Sequence, residues 1–69
     1  MKTRDEHARN AFWGSNPMLM AEVENLRGYD MDGVRYPANG MTLAECIETV
    51  EAMDDETWLE LAALGAFSE

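Results

Sequence analysis

The sequence has one cysteine, Cys46, and one histidine, His7. A lone cysteine excludes a disulfide within the chain, and so small a supply of nitrogen and sulfur donors argues against a structural zinc site. No apolar run approaches the roughly 20 residues that span a bilayer. The start, Met1-Lys2-Thr3-Arg4-Asp5-Glu6, carries bases with no apolar stretch behind them, so no secretory signal is expected. An unpaired thiol suits a reducing compartment, and the cytoplasm is the expected location. The chain also lacks the phosphate-cradling, dinucleotide-binding, nucleophile-elbow and zinc-protease motifs.

The most informative absence is one of charge. Residues 36–69 contain no lysine or arginine but eight acids, whereas residues 1–10 carry three bases against two acids. The formal net charge is −9 and most of it lies in the second half. Such a half repels nucleic acid and anionic lipid and attracts basic surfaces, an attraction that salt weakens. Neither direct nucleic-acid binding nor membrane binding is expected.

What is present is enough for one small domain over residues 1–69. Hydrophobic residues make up 46% of the chain, too many for a disordered segment. A chain this short buries only about 60% of the surface it exposes when unfolded, so packing or oligomerisation must supply what disulfides and metals do not.

The expected fold is mainly α, a small bundle of three to four short helices with a β-hairpin at about residues 29–36 between helices 2 and 3. Thr3-Arg-Asp-Glu6 fits a capping box and Gly14 a helix stop. The apolar stripe of this first helix, Ala8, Ala11 and Phe12, is thin, which predicts a fraying helix that depends on docking of Phe12 and Trp13. Asn16-Pro17 starts the second helix and Gly28 ends it, with Leu19, Val23 and Leu26 on one face. Asp32-Gly33 signals a type I′ turn, pairing Met31 with Val34 and Tyr29 with Tyr36 on one face and Asp30 with Arg35 on the other. A lone hairpin is marginal in water, so its apolar face is expected to rest on the helices.

Pro37-Ala-Asn39-Gly40 reads as a turn. Thr42-Leu-Ala-Glu45 is a second capping box, with Met41 placed to staple onto Cys46. In the third helix, at about residues 43–53, Leu43, Cys46, Ile47, Val50 and Met53 fall within about 120° of arc, and Glu45, Glu48 and Glu51 lie opposite. Asp54-Asp55-Glu56 opens a fourth helix that ends at Gly65. Its apolar residues Trp58, Leu59, Leu61, Ala62 and Leu64 cover about 220°, so it is either central or has a second face for a partner. The tail, Ala66-Phe67-Ser68-Glu69, adds one more aromatic.

Few residues invite a chemical reading. His7 lies beside Glu6 on a weak first helix and is expected to be solvent-exposed. Cys46 falls on an apolar face among acids, the setting of a core residue and not of a nucleophile. Asp30 and Asp32 take positions 3 and 5 of a calcium loop with Gly33 at position 6, but Gly28 and Asn39 would occupy positions 1 and 12, where ligands are required. No cofactor or metal is expected, and a helical chain of this size offers little room for a pocket of about 300 Å³ or more. An enzyme is therefore not expected.

The remaining signal is the acidic run Glu45, Glu48, Glu51, Asp54, Asp55, Glu56 and Glu60. Three-residue helical steps rise about 4.5 Å, near the 3.4 Å between phosphates on one DNA strand, so such a row could act as a DNA mimic. The bland alternative is that the acids keep a small protein soluble. Six methionines and the aromatics Trp13, Trp58, Tyr29 and Tyr36 should mostly be core, leaving one exposed patch near helix 4 or Trp13. The expected function is a non-enzymatic binding module or inhibitor, with the profile of the accessory proteins that viruses, phages and mobile elements encode. Its acidic face would meet a basic surface of another protein, with Trp13, Trp58 and Leu61 as apolar anchors. The alternative is a homodimeric structural or regulatory protein whose acids only solubilise it.

Overall fold

The computed structural model describes residues 2–67; of the tail, Ser68 and Glu69 lie outside the described residues, as does Met1. The order of elements is α1 (Arg4–Phe12), α2 (Pro17–Leu26), β1 (Tyr29–Met31), β2 (Val34–Tyr36), α3 (Leu43–Ala52) and α4 (Asp55–Ala63). This is the mainly helical fold with a hairpin between the second and third helices that the pattern predicts. No helix among the described residues is long and apolar enough to cross a membrane.

Each helix starts where its side chains satisfy free backbone N–H groups. Thr3 caps α1 and Thr42 caps α3, each in a complete capping box with the glutamate three residues on. Asn16 caps α2 ahead of Pro17, and Asp54 caps α4. Asn16 has a second role: its Nδ2 donates to the Ala66 carbonyl at 2.8 Å and ties the tail to the start of α2.

The core is small, comprising Ala8, Ala11, Leu19, Val23, Cys46, Val50, Met53 and Leu61. The molecule measures 40 × 24 × 19 Å, so few positions lie far from solvent. The thin stripe of α1 is its means of packing. Ala8 and Ala11 are fully buried, and their small side chains let α3 approach until the Cys46 Sγ lies 3.5 Å from the Ala8 carbonyl oxygen. Trp13 does not dock as expected and is 73% exposed. Phe12 does pack against the core as expected, and α1 is anchored by it, by alanine packing and by Arg4.

Arg4 joins three helices. Its Nη1 donates to the carbonyls of Val50, at 3.1 Å, and of Met53, while Nη2 pairs with Asp55 at 2.9 Å. The guanidinium also lies 4.7 Å from the Trp58 ring centroid. The last turn of α3 has no basic residue of its own, so its carbonyls are satisfied by a cation from the other end of the chain.

The hairpin has the expected register, Tyr29 with Tyr36, Asp30 with Arg35 and Met31 with Val34. Asp32 and Gly33 have φ of 53° and 78°, the left-handed pair that a type I′ turn requires. Its orientation is the reverse of the expected one. Tyr29, Met31, Val34 and Tyr36 are all 41–54% exposed. The polar face makes the attachment: Arg35 Nε donates to the Asn25 carbonyl at 3.1 Å, at the C-terminal end of α2. The Ala38 N–H, just beyond β2, donates to the Glu24 carbonyl at 2.8 Å. A helix end with unsatisfied carbonyls thus recruits the arginine and leaves the apolar face outward. Gly28 permits the close return of the chain, since a Cβ there would lie 2.1 Å from the Tyr36 carbonyl oxygen.

Two further expectations are corrected. Leu26 leaves the buried face of α2, which is confined to Leu19 and Val23, and is 45% exposed. Of the methionines among the described residues only Met53 is buried; Met20 and Met41 rest on the edge of the core, and Met18 and Met31 are exposed. Replacing Arg4 with alanine should lower stability by about 2–3 kcal/mol, the cost of charge-assisted hydrogen bonds lost from partly buried carbonyls. Arg4→Lys should recover only part of this, because an ammonium lacks the planar fork that reaches several acceptors. Urea unfolding followed by circular dichroism measures both.

Candidate protein-docking surface

The seven acids of the predicted face all lie on α3, α4 or the junction between them, but they are not equivalent. Glu45 Oε1 accepts from the Thr42 N–H at 2.9 Å, and its Oε2 pairs with Arg27 at 2.8 Å. Those bonds to Thr42, and then the Arg27 charge, hold the Glu45 carboxyl below its ordinary pKa. Asp54 accepts from the Thr57 N–H at 2.8 Å, and the bonds to Thr57, with a smaller contribution from Arg4, lower its pKa as well. Asp55 is paired with Arg4. Glu48, Glu51, Glu56 and Glu60 are exposed and have no ion-pair partner among the described residues. Residues 36–69 contribute no base, yet the fold inserts Arg4 and Arg27 among their acids.

The apolar candidates separate in the same way. Leu61 is buried in the core and cannot meet a partner, which corrects its assignment to the surface. Trp58 is half-buried: Phe67 stacks on it at 4.2 Å, and His7 meets it edge-on at 5.6 Å. His7 therefore belongs to an aromatic cluster, with its ring also 4.7 Å from Phe67, and is not the solvent-exposed residue expected. Trp13 remains an exposed candidate.

The wide apolar arc of α4 resolves into two faces. Trp58 and Leu61 point inward, while Leu59 and Leu64 are 67% and 71% exposed. At 100° per residue Glu56, Leu59, Glu60 and Ala63 form one outward stripe, and all four are exposed. One exposed leucine, Leu59, is therefore flanked by the carboxylates of Glu56 and Glu60, and Leu64 is exposed at the C-cap. The four outward residues of the hairpin form a second apolar surface, with Tyr29 and Tyr36 stacked at 5.4 Å. Sequence reasoning missed this surface because the alternating pattern marks which residues share a face but not which way that face turns.

An open groove of about 400 Å³ lies between the end of α2, the end of α3 and the start of α4. It is larger than the chain length suggests, and neither His7 nor Cys46 lines it. Cys46 is buried, and burial pushes its thiol pKa up, so it remains protonated. Among the described residues no three His, Cys, Asp or Glu side chains converge as a metal site. Comparison with protein-family models, with curated proteins and with solved structures gives no match.

Because the pKa values of Glu45 and Asp54 are lower in the folded chain than in the unfolded one, the folded state holds fewer protons on them. Their contribution to stability is complete above the ordinary carboxylate range and is lost as pH falls through the folded values. Thermal melts should show this acid-side loss below about pH 4, and it should be smaller in the Glu45→Gln, Asp54→Asn double variant, which keeps both cap geometries. Cys46 should react with a thiol reagent at the rate of unfolding; labelling of the native protein as fast as of the denatured one would contradict its burial.

Proposed function

We propose that this chain is a non-enzymatic binding protein whose acidic C-terminal half docks on a basic surface of another protein. The observation that carries the reading is the outward stripe of α4, where Leu59 stands exposed between Glu56 and Glu60, which have no ion-pair partner among the described residues, with Leu64 exposed just past the end of the helix. Apolar side chains give an interface its affinity, while screened surface charges are individually worth only about 0–1 kcal/mol and act mainly on encounter and partner choice. Both are present on one short helix. Trp13 is a further exposed anchor, whereas Trp58 and Leu61 support the stripe from beneath.

With Glu45, Asp54 and Asp55 engaged by partners within the chain, the acids do not run as an even row of free charges. The reading therefore rests on charge steering and apolar anchoring rather than on imitation of a phosphate backbone, and it extends to inhibition of a nucleic-acid-binding protein only where such a partner presents a basic surface. Self-association through the same leucines is the competing use of the stripe, and the net charge of −9 opposes it.

Capture with the intact protein followed by mass spectrometry should return a partner whose affinity falls as ionic strength rises. Leu59→Ala should weaken the complex about tenfold with little change in its salt dependence, and Glu56→Gln with Glu60→Gln should flatten that dependence. A complex indifferent to salt, or a tight dimer in sedimentation at micromolar concentration that Leu59→Ala dissolves, would overturn the reading.

A further inference from the structure

The groove between α2, α3 and α4 differs from the α4 stripe in having depth. Leu26, Ala52 and Met53 give it carbon walls, and Glu48 and Asp54 bring carboxylates to the same space. Leu26 is half-exposed at its edge although the helical pattern would bury it. The only cation among the lining residues is Arg27, and its charge is already taken: Nη2 pairs with Glu45 at 2.8 Å and Nη1 donates to Thr49 Oγ1 at 3.0 Å. Glu48 and Asp54 have no ion-pair partner among the described residues. Apolar walls thus combine with two carboxylates, that of Glu48 and that of Asp54, which accepts from the Thr57 N–H at the start of α4.

The geometry points to this groove as the receptor for a long basic side chain, arginine or lysine, presented by the partner protein, an inference that rests on the reading given under Proposed function. Arg and Lys have an aliphatic stem that packs on carbon and a charged head that seeks acceptors. The stem lies along Leu26, Ala52 and Met53, and the head reaches Glu48 and Asp54. Arg27 sets the pattern from within the chain, since its own head rests on a carboxylate and a hydroxyl beside the same groove. An acidic or purely apolar occupant would leave both carboxylates facing like charge or without solvent. A second copy of this chain is disfavoured by the repulsion between two bodies of charge −9.

The test uses the intact protein labelled with nitrogen-15 and two probes, an octa-arginine peptide and its neutral octa-citrulline counterpart, at low ionic strength. Octa-arginine should shift the amides of Thr49, Ala52, Met53 and Thr57 most, and octa-citrulline should not. Glu48→Gln with Asp54→Asn should weaken octa-arginine binding about fivefold to thirtyfold, more than Glu56→Gln with Glu60→Gln does. Asparagine keeps the cap of α4, and Glu48→Gln alone, at an exposed position with no contact to lose, serves if the double variant unfolds. Shifts confined to the outer face of α4 or to the hairpin, unaffected by Glu48→Gln, would overturn the groove assignment while leaving the basic partner in place. No binding of octa-arginine at all would overturn both.

Discussion

The structure depends on how one guanidinium from the first helical turn is used at the far end of the chain. Arg4 reaches the carbonyls of Val50 and Met53, the carboxylate of Asp55 and the face of Trp58. The end of α3 and the start of α4 meet at this point, and residues 36–69 hold no base with which to satisfy them. A C-terminal helix end carries partial negative charge, and Asp54, Asp55 and Glu56 add full charges beside it. Without a cation the α3–α4 corner would be a site of repulsion. With Arg4 in place it becomes the joint that holds α1, α3 and α4 together. Arg27 does the same on the other side of α3 through Glu45 and Thr49. The uneven charge of the sequence is thus partly a folding device, because bases from the first half are consumed by acids of the second.

That consumption divides the acidic residues by role. Of the seven acids between Glu45 and Glu60, Glu45, Asp54 and Asp55 cap helices or close ion pairs, while Glu48, Glu51, Glu56 and Glu60 have no ion-pair partner among the described residues. The apolar side chains divide by the same logic of limited interior. A core of eight residues leaves little space for six methionines and six aromatics, so the surplus lies on the surface. Its placement is uneven. Tyr29, Met31 and Tyr36 gather on the hairpin, Trp13 and Met18 lie apart from it, and on α4 the exposed apolar residues are Leu59 and Leu64, accompanied by Glu56 and Glu60. An exposed apolar stripe flanked by unpaired charge is the physical basis of the proposed docking surface.

The hairpin shows how a polar contact can set the direction of an apolar face. Its turn and register follow from Asp32-Gly33 and from alternation along the strands. Its attachment follows from the unsatisfied carbonyls at the end of α2, which take Arg35 as donor. Since Arg35 and Asp30 share the face opposite the tyrosines, anchoring one face exposes the other. The calcium loop that Asp30 and Asp32 suggest gives way to the same hairpin, with Asp30 facing Arg35 across the strands.

Local order was legible from the sequence: where the helices begin, where Gly14 and Gly65 end them, which strand residues pair, and that Cys46 and Val50 lie inside. Capping boxes, proline at a first helical position and a two-residue turn act over three or four residues, so the chain specifies them without reference to the rest of the fold. The tertiary structure alone decided which acids are free, that Leu61 is buried while Leu59 is not, that His7 joins Trp58 and Phe67, and which way the tyrosines turn. Each of these depends on contacts between residues far apart in sequence, such as Arg4 with Met53 or Asn16 with Ala66, and helical or strand periodicity carries no information about such pairs.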